Sequence, residues 1–171
     1  MPRGEFKYST VAQAARDAWD PLTDMLALRC VPPGMPNANM NPYPIEFIDD
    51  GERIRLNIEE WESRRVIDMV ATEIPDDAPW SRLGYSIGRW EGDMLVIETA
   101  HIDFDYLDDE GTPMSEQARV VEHYRVSADG NRLDYTVAVT DPPNLIGPAV
   151  WDAYWTYVPG TVIRPFECEI E

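Results

Sequence analysis

From residue 45 onward the chain is a succession of short segments in which apolar and polar residues alternate, each bounded by a turn signal. Period-two alternation belongs to a strand with one buried face. The segment "RIRLNIEE" shows it plainly, with Ile54, Leu56 and Ile58 on one side and Arg53, Arg55 and Asn57 on the other. Asp50-Gly51, the "EGD" of residues 91–93 and Asp129-Gly130-Asn131 read as hairpin tips, where glycine supplies a positive φ. Counting "IEFID", "RVIDMV", "GYSIGRW", "MLVIETAHI", "ARVVEHYRV", "RLDYTVAVT", "VWDAYWTYV" and "TVIRPFE" gives eight or nine strands at regular spacing. Long strands joined mostly by hairpins favour a closed antiparallel β-barrel of about eight strands, lipocalin- or calycin-like, because closure removes exposed edges.

Ahead of the strands, Ser9 or Thr10 is suited to cap a helix over "VAQAARDAW". Val11, Ala14, Ala15, Ala18 and Trp19 are expected on its apolar face. Asp20-Pro21 ends it, and "LTDMLAL" is expected to form a second short helix. Residues 30–44, rich in Pro, Asn and Gly, are irregular. The 171 residues suffice for one domain, with helices over 9–28 capping one end of a barrel over 45–167.

A net charge of −18 argues against nucleic acid and anionic membranes as partners, since both select basic patches. No apolar run approaches the roughly 20 residues of a membrane helix. The N-terminus lacks the apolar stretch of a signal peptide, so the chain as it stands is expected in the cytoplasm, or in the periplasm or outside the cell if a leader has been removed. The two cysteines, Cys30 and Cys168, are buried thiols or a single disulfide joining the ends.

Alternation also predicts which polar side chains point inward. Arg65 shares a face with Ile67 and Met69. Leu95, Ile97 and Thr99 lead to His101, and Val120, Glu122, Tyr124 and Val126 form another inward row. Leu133, Tyr135, Val137 and Val139 lead to Asp141, which is expected to organise a turn. Trp151, Trp155 and Tyr157 share a face, as do Gly84, Ser86, Gly88 and Trp90. Glu60 and Arg65 flank a hairpin and could pair across it. Glu122 stands out, because a carboxylate in mid-strand among apolar neighbours needs a partner or a raised pKa.

Other motifs carry less. His101-x-Asp103-x-Asp105 is a poor metal string in a chain with two histidines, and the acidic run 103–110 lacks the glycine and glutamate of an EF-hand. The "GYSIG" stretch superficially matches a nucleophile elbow, but it leads into a hairpin rather than a helix. No metal and no organic cofactor are expected.

The stretches "LGYSIGRWEGDMLVIET", "GTPMSEQARVVEHYR", "LDYTVAVTDP", "LRCVPPGMP" and "RPFEC" resemble a widespread, uncharacterised family of small, mostly β bacterial proteins, often exported. The resemblance spans roughly residues 28–168. It implies a single-domain protein and pairing of Cys30 with Cys168; many relatives have Thr where this chain has Met94.

An apolar interior with a few convergent polar groups is the pattern of a ligand site. The expected function is cofactor-independent acid–base catalysis, of lyase, isomerase, cyclase or decarboxylase type, on a small apolar or aromatic substrate. Glu122 or Glu60 would serve as base or acid, Arg65 would hold a carboxylate or developing negative charge, and Tyr124 and His101 would donate or relay protons. Trp90, Thr99, Tyr135, Trp151 and Trp155 would line the substrate site. The alternative is a carrier with the same pocket and no turnover. A homodimer is compatible with either.

Overall fold

The structure is a computed structural model and describes residues 6–169. One sheet of eight strands dominates it, ordered as in the sequence: β1 (Ile45–Asp49), β2 (Arg53–Ile58), β3 (Ser63–Asp68), β4 (Tyr85–Glu91), β5 (Met94–Ala100), β6 (Arg119–Val126), β7 (Arg132–Thr140) and β8 (Ala149–Thr156). All neighbours are antiparallel except β3 and β4, which run parallel and share only two residue pairs, Ile67↔Ser86 and Asp68↔Ile87. A parallel neighbour requires a crossover, and residues 69–84, with Pro75 and Pro79, provide it.

The sheet is therefore a mixed half-barrel rather than the all-antiparallel closed barrel expected. Among the described residues β1 and β8 are not paired. Side chains span the seam instead: the Trp155 indole donates to the Tyr43 carbonyl at 3.1 Å. Across the interior, Phe47 of β1 meets Tyr124 of β6 edge-on with ring centroids 5.1 Å apart. The expected ninth strand, "TVIRPFE", is extended chain without a ladder.

The hairpins form where the turn residues place them. Glu91 pairs with Met94, and Gly92 takes φ +64° at the first central position of the two-residue turn. Glu91 and Asp93 are turn acids outside the core.

Among the described residues there is one α-helix, α1 (Thr10–Ala18), with the Ser9 hydroxyl capping the Ala12 amide at 3.2 Å. Its buried face differs from the expected one. Ala12 is buried, while Val11 is 72% exposed. The rotation follows Arg16, which reaches Asp108 and Thr112 of the acidic loop, and Trp19, which lies against Gly111. In place of a second α-helix there is a single 3₁₀ turn at Leu26–Arg29. Asp20 and Asp24 cap backbone amides in the turn before it, competing with a longer helix.

The core fills the concave face. Register aligns Ile54, Ile67, Ser86, Thr99, Val120, Val139 and Ala149 in one layer, with Ile97, Glu122, Val137 and Trp151 in the next and Leu95, Tyr124, Tyr135 and Ala153 beyond. Cys30 and Cys168 form a disulfide that ties the 3₁₀ turn to the C-terminal segment. Among the described residues no helix is long and apolar enough to cross a membrane.

Candidate functional site

Two polar sites occupy the concave side. The deeper one is built on β4. Gly84, Ser86 and Gly88 form a lane of small residues: Thr99 and Ile102 close on Gly84, Ile67 and Met69 close on Gly88, and Arg65 reaches Ser86 between them. A Cβ on Gly84 would lie 2.6 Å from Thr99, and one on Gly88 would lie 2.6 Å from Met69. The Arg65 side chain crosses this lane from β3 to β6. Its Nε donates to Ser86 Oγ at 2.9 Å, and its Nη2 donates to Thr99 Oγ1 and to Glu122 Oε2, both at 2.5 Å.

Glu122 is completely buried and its oxygens are occupied. Oε2 accepts from Arg65. Oε1 accepts from the Tyr135 hydroxyl at 3.0 Å, the Tyr124 hydroxyl at 3.1 Å and Asn39 Nδ2 at 3.4 Å. Its four donors equal in number the about four acceptor positions of a carboxylate, and both oxygens are engaged. Burial and the adjacent Glu122 charge push both tyrosines well above the usual phenol range, which keeps them as donors. Burial works against the Arg65 cation, but Glu122 prevails and its pKa is raised. The expected cross-hairpin pair with Glu60 does not form. Taking an Arg–Glu pair out of water costs several kcal/mol per ion, and here the surrounding donors offset it. The cluster satisfies itself, Arg65 Nη1 and Asn39 Oδ1 excepted.

The second site lies at the turn between β2 and β3. Trp61 and Glu62 adopt left-handed backbone there, with φ of +55° and +46°, a conformation that costs roughly 1–2 kcal/mol per non-glycine residue. The turn buries Glu60. Its Oε1 accepts from Asn41 Nδ2 at 2.8 Å, while Oε2 is buried without a partner. Burial, reinforced by Asp109, raises the Glu60 pKa from 4.5 to about 7. Glu60 lines a pocket of about 110 Å³ walled by Trp19, Trp61, Phe104 and Tyr106, with Met25, Leu26, Ala27 and Val31 along one side. Trp61 packs on Phe166 at 4.7 Å, two residues before Cys168, so the disulfide fastens this pocket's rim.

The remaining candidates divide as follows. Thr99 and Tyr135 belong to the Arg65–Glu122 cluster. Trp155 stacks on Tyr124 and meets Tyr135 edge-on, and Trp151 is a buried core residue packed on Phe6. Trp90 does not wall a pocket. It is 60% exposed, because the end of β4 projects past its neighbours on the β3 side, where pairing stops at Ile87. His101 leaves the inward row because its φ of +54° turns the chain; its Nδ1 bonds the Ala78 carbonyl at 2.8 Å and its ring stacks on Trp80. Val126 and Tyr157, at strand ends, are exposed. Asp141 organises its turn as expected, accepting from Ser115 and Asn144.

Sequence reasoning missed Asn39, Asn41 and Asn37, which bond Tyr124, Glu60 and Asp109 respectively. All lie in the irregular stretch, where no periodicity assigns a face. The repeated asparagines of "NANMN" were the available signal, since buried amides need partners. Within the acidic run 103–110, Asp108 is buried and accepts from Arg16, Thr112 and the Glu110 amide. Compared with known proteins, the chain matches no family model and no curated sequence.

Proposed function

We propose that the protein is a cofactor-independent acid–base enzyme, of lyase or isomerase type, that takes a small aromatic or apolar substrate in the pocket at Glu60. One observation carries the reading: a buried carboxyl with an unpartnered oxygen and a pKa of about 7 in an aromatic cavity. Such a group is divided between acid and base near neutrality, where proton transfer in either direction is efficient. Asn41 orients it, and Trp19, Trp61, Phe104 and Tyr106 supply faces for a ring. Asp108 and Asp109 in the lining favour a neutral or cationic substrate. The half-barrel acts as a lipocalin-like scaffold, with Arg65–Glu122 holding its strands in register rather than turning over substrate. The closure of that network favours a second reading, a carrier without turnover.

The test uses 5-nitrobenzisoxazole, an aromatic whose ring opening requires only a base to remove one C–H proton. The protein should accelerate it with a rate rising through about pH 7, and Glu60→Gln should abolish the acceleration with folding intact. Acceleration that survives Glu60→Gln would remove Glu60 from the mechanism. Binding without acceleration, seen as quenching of Trp19 and Trp61, would select the carrier.

A further inference from the structure

A larger cleft lies on the other side of Pro33 and Arg82 from the Glu60 pocket. It exists because β3 and β4 pair only at Ile67 and Asp68; toward their N-terminal ends, residues 63–66 and 81–85 stand apart. The cleft measures about 490 Å³ and is lined by Arg53, Arg64, Arg65 and Arg82, with Ser81 and Tyr85. Four of the chain's 14 basic residues thus converge on one cavity in a molecule of net charge −18.

Three of the four lack an ion-pair partner among the described residues, Arg65 alone being paired, with Glu122. Elsewhere Arg16, Arg55, Arg89, Arg125 and Arg132 each lie 3.0 Å or less from a carboxylate, and Arg29, Arg119 and Arg164, unpaired among the described residues, do not line this cleft. Among the described residues, Arg53, Arg64 and Arg82 form no ion pair. Arg82 is tethered by neutral acceptors, the Pro33 carbonyl at 2.6 Å and Ser63 Oγ at 3.0 Å. Burial holds its pKa below the usual guanidinium value, the mark of a desolvated cation without a counter-charge. Arg65 adds a buried nitrogen, Nη1, without a partner. The one acid in the lining, Asp68, is already engaged: Oδ1 accepts the Val70 and Ala71 amides and Oδ2 the Tyr85 hydroxyl.

We propose that this cleft binds a small organic dianion, a phosphomonoester or a dicarboxylate, with Arg82 and Arg64 as its principal contacts. Guanidinium forks match both groups in geometry and charge, and the volume suits a metabolite-sized ligand. The chain's overall negative field repels anions at long range, so affinity must come from these local, partly dehydrated contacts. The inference does not depend on chemistry at Glu60.

Calorimetric titration of the full chain with inorganic phosphate and with succinate tests it. Saturable one-site binding is expected for at least one probe. Arg82→Gln should weaken it about tenfold or more, and Arg64→Gln several-fold. Arg64 makes no ion pair, so its variant is not expected to disturb the fold. Arg119→Gln, which removes an exposed arginine on β6 that donates only to neighbouring carbonyls, should leave binding unchanged. Binding of phosphate alone assigns a phosphoryl ligand, and of succinate alone a dicarboxylate. No saturable binding of either probe at tens of millimolar overturns the proposal. So does binding that Arg119→Gln weakens as much as Arg82→Gln and Arg64→Gln do.

Discussion

Glu122 and Glu60 are both inward-facing, buried carboxyls, and they differ in what surrounds them. Glu122 meets a cation and three neutral donors. Glu60 meets one amide, aromatic walls and another acid. Burial alone therefore does not identify a reactive group. What separates the two is unused hydrogen-bonding capacity, which Glu60 keeps at Oε2.

The sharpest way to break the comparison is to remove Glu122. Glu122→Leu leaves Arg65 charged, buried and unpaired and should cost about 3–5 kcal/mol in urea unfolding. Adding Arg65→Met should recover most of that loss. A double variant no more stable than the single would show that the pair is not the unit. Cutting the disulfide acts on the other site. Cys30→Ser frees a loop between residues 138 positions apart and should cost about 2–5 kcal/mol. Trp61 fluorescence should respond before amide exchange in β5 and β6 does.

Protonation separates the sites without mutation. The Glu60 pKa is raised on folding, so its contribution is complete below the unfolded value of about 4.5 and is lost as pH rises through about 7. Stability should fall by about 2–3 kcal/mol over that window, and Glu60→Gln should flatten the slope. Asp50, Asp68 and Asp129 are lowered by Arg55, by the Ala71 amide and by Ser127 respectively. Their effects are lost as pH falls, below about pH 4, and do not overlap. The smallest change is Gly111→Ala. The residue has φ +76°, and a Cβ would lie 2.5 Å from the Trp19 ring. It should cost about 1–2 kcal/mol and, by displacing Trp19, let water lower the Glu60 pKa. Titration of Glu60 by carbon NMR reads this directly, and an unmoved pKa would show that Trp19 does not dry the pocket.

Alternation made the Arg65–Glu122 cluster legible: Arg65, Thr99, Glu122, Tyr124 and Tyr135 were all assigned inward from period two. The face of "GYSIG" was legible too, but not its use, because small residues can make room for a ligand or for neighbouring side chains, and here Thr99, Ile67 and Met69 close on the glycines. The parallel β3–β4 contact was not legible, because two residue pairs leave no trace in local patterning, and neither does the ladder missing between β1 and β8 among the described residues. The Glu60 pocket depended on the irregular stretch and on left-handed backbone at Trp61 and Glu62, neither of which has a period. The arginine cleft was hidden for a related reason. Arg64 and Arg65 point to opposite faces of β3, and Arg82 lies in the crossover, so nothing in sequence brings them together.

The disulfide makes most of this molecule a covalent ring. Any single backbone cut between Cys30 and Cys168, for instance in the crossover that separates the parallel strands, leaves both pieces joined through sulfur. The two Cα atoms are 5.8 Å apart, so the ring is closed without any further chain. A gene begun at the Gly92 hairpin, with the old ends joined by a linker, would encode the same set of strand neighbours. In that version the seam between β1 and β8, now spanned by aromatic side chains, would lie in the middle of the chain.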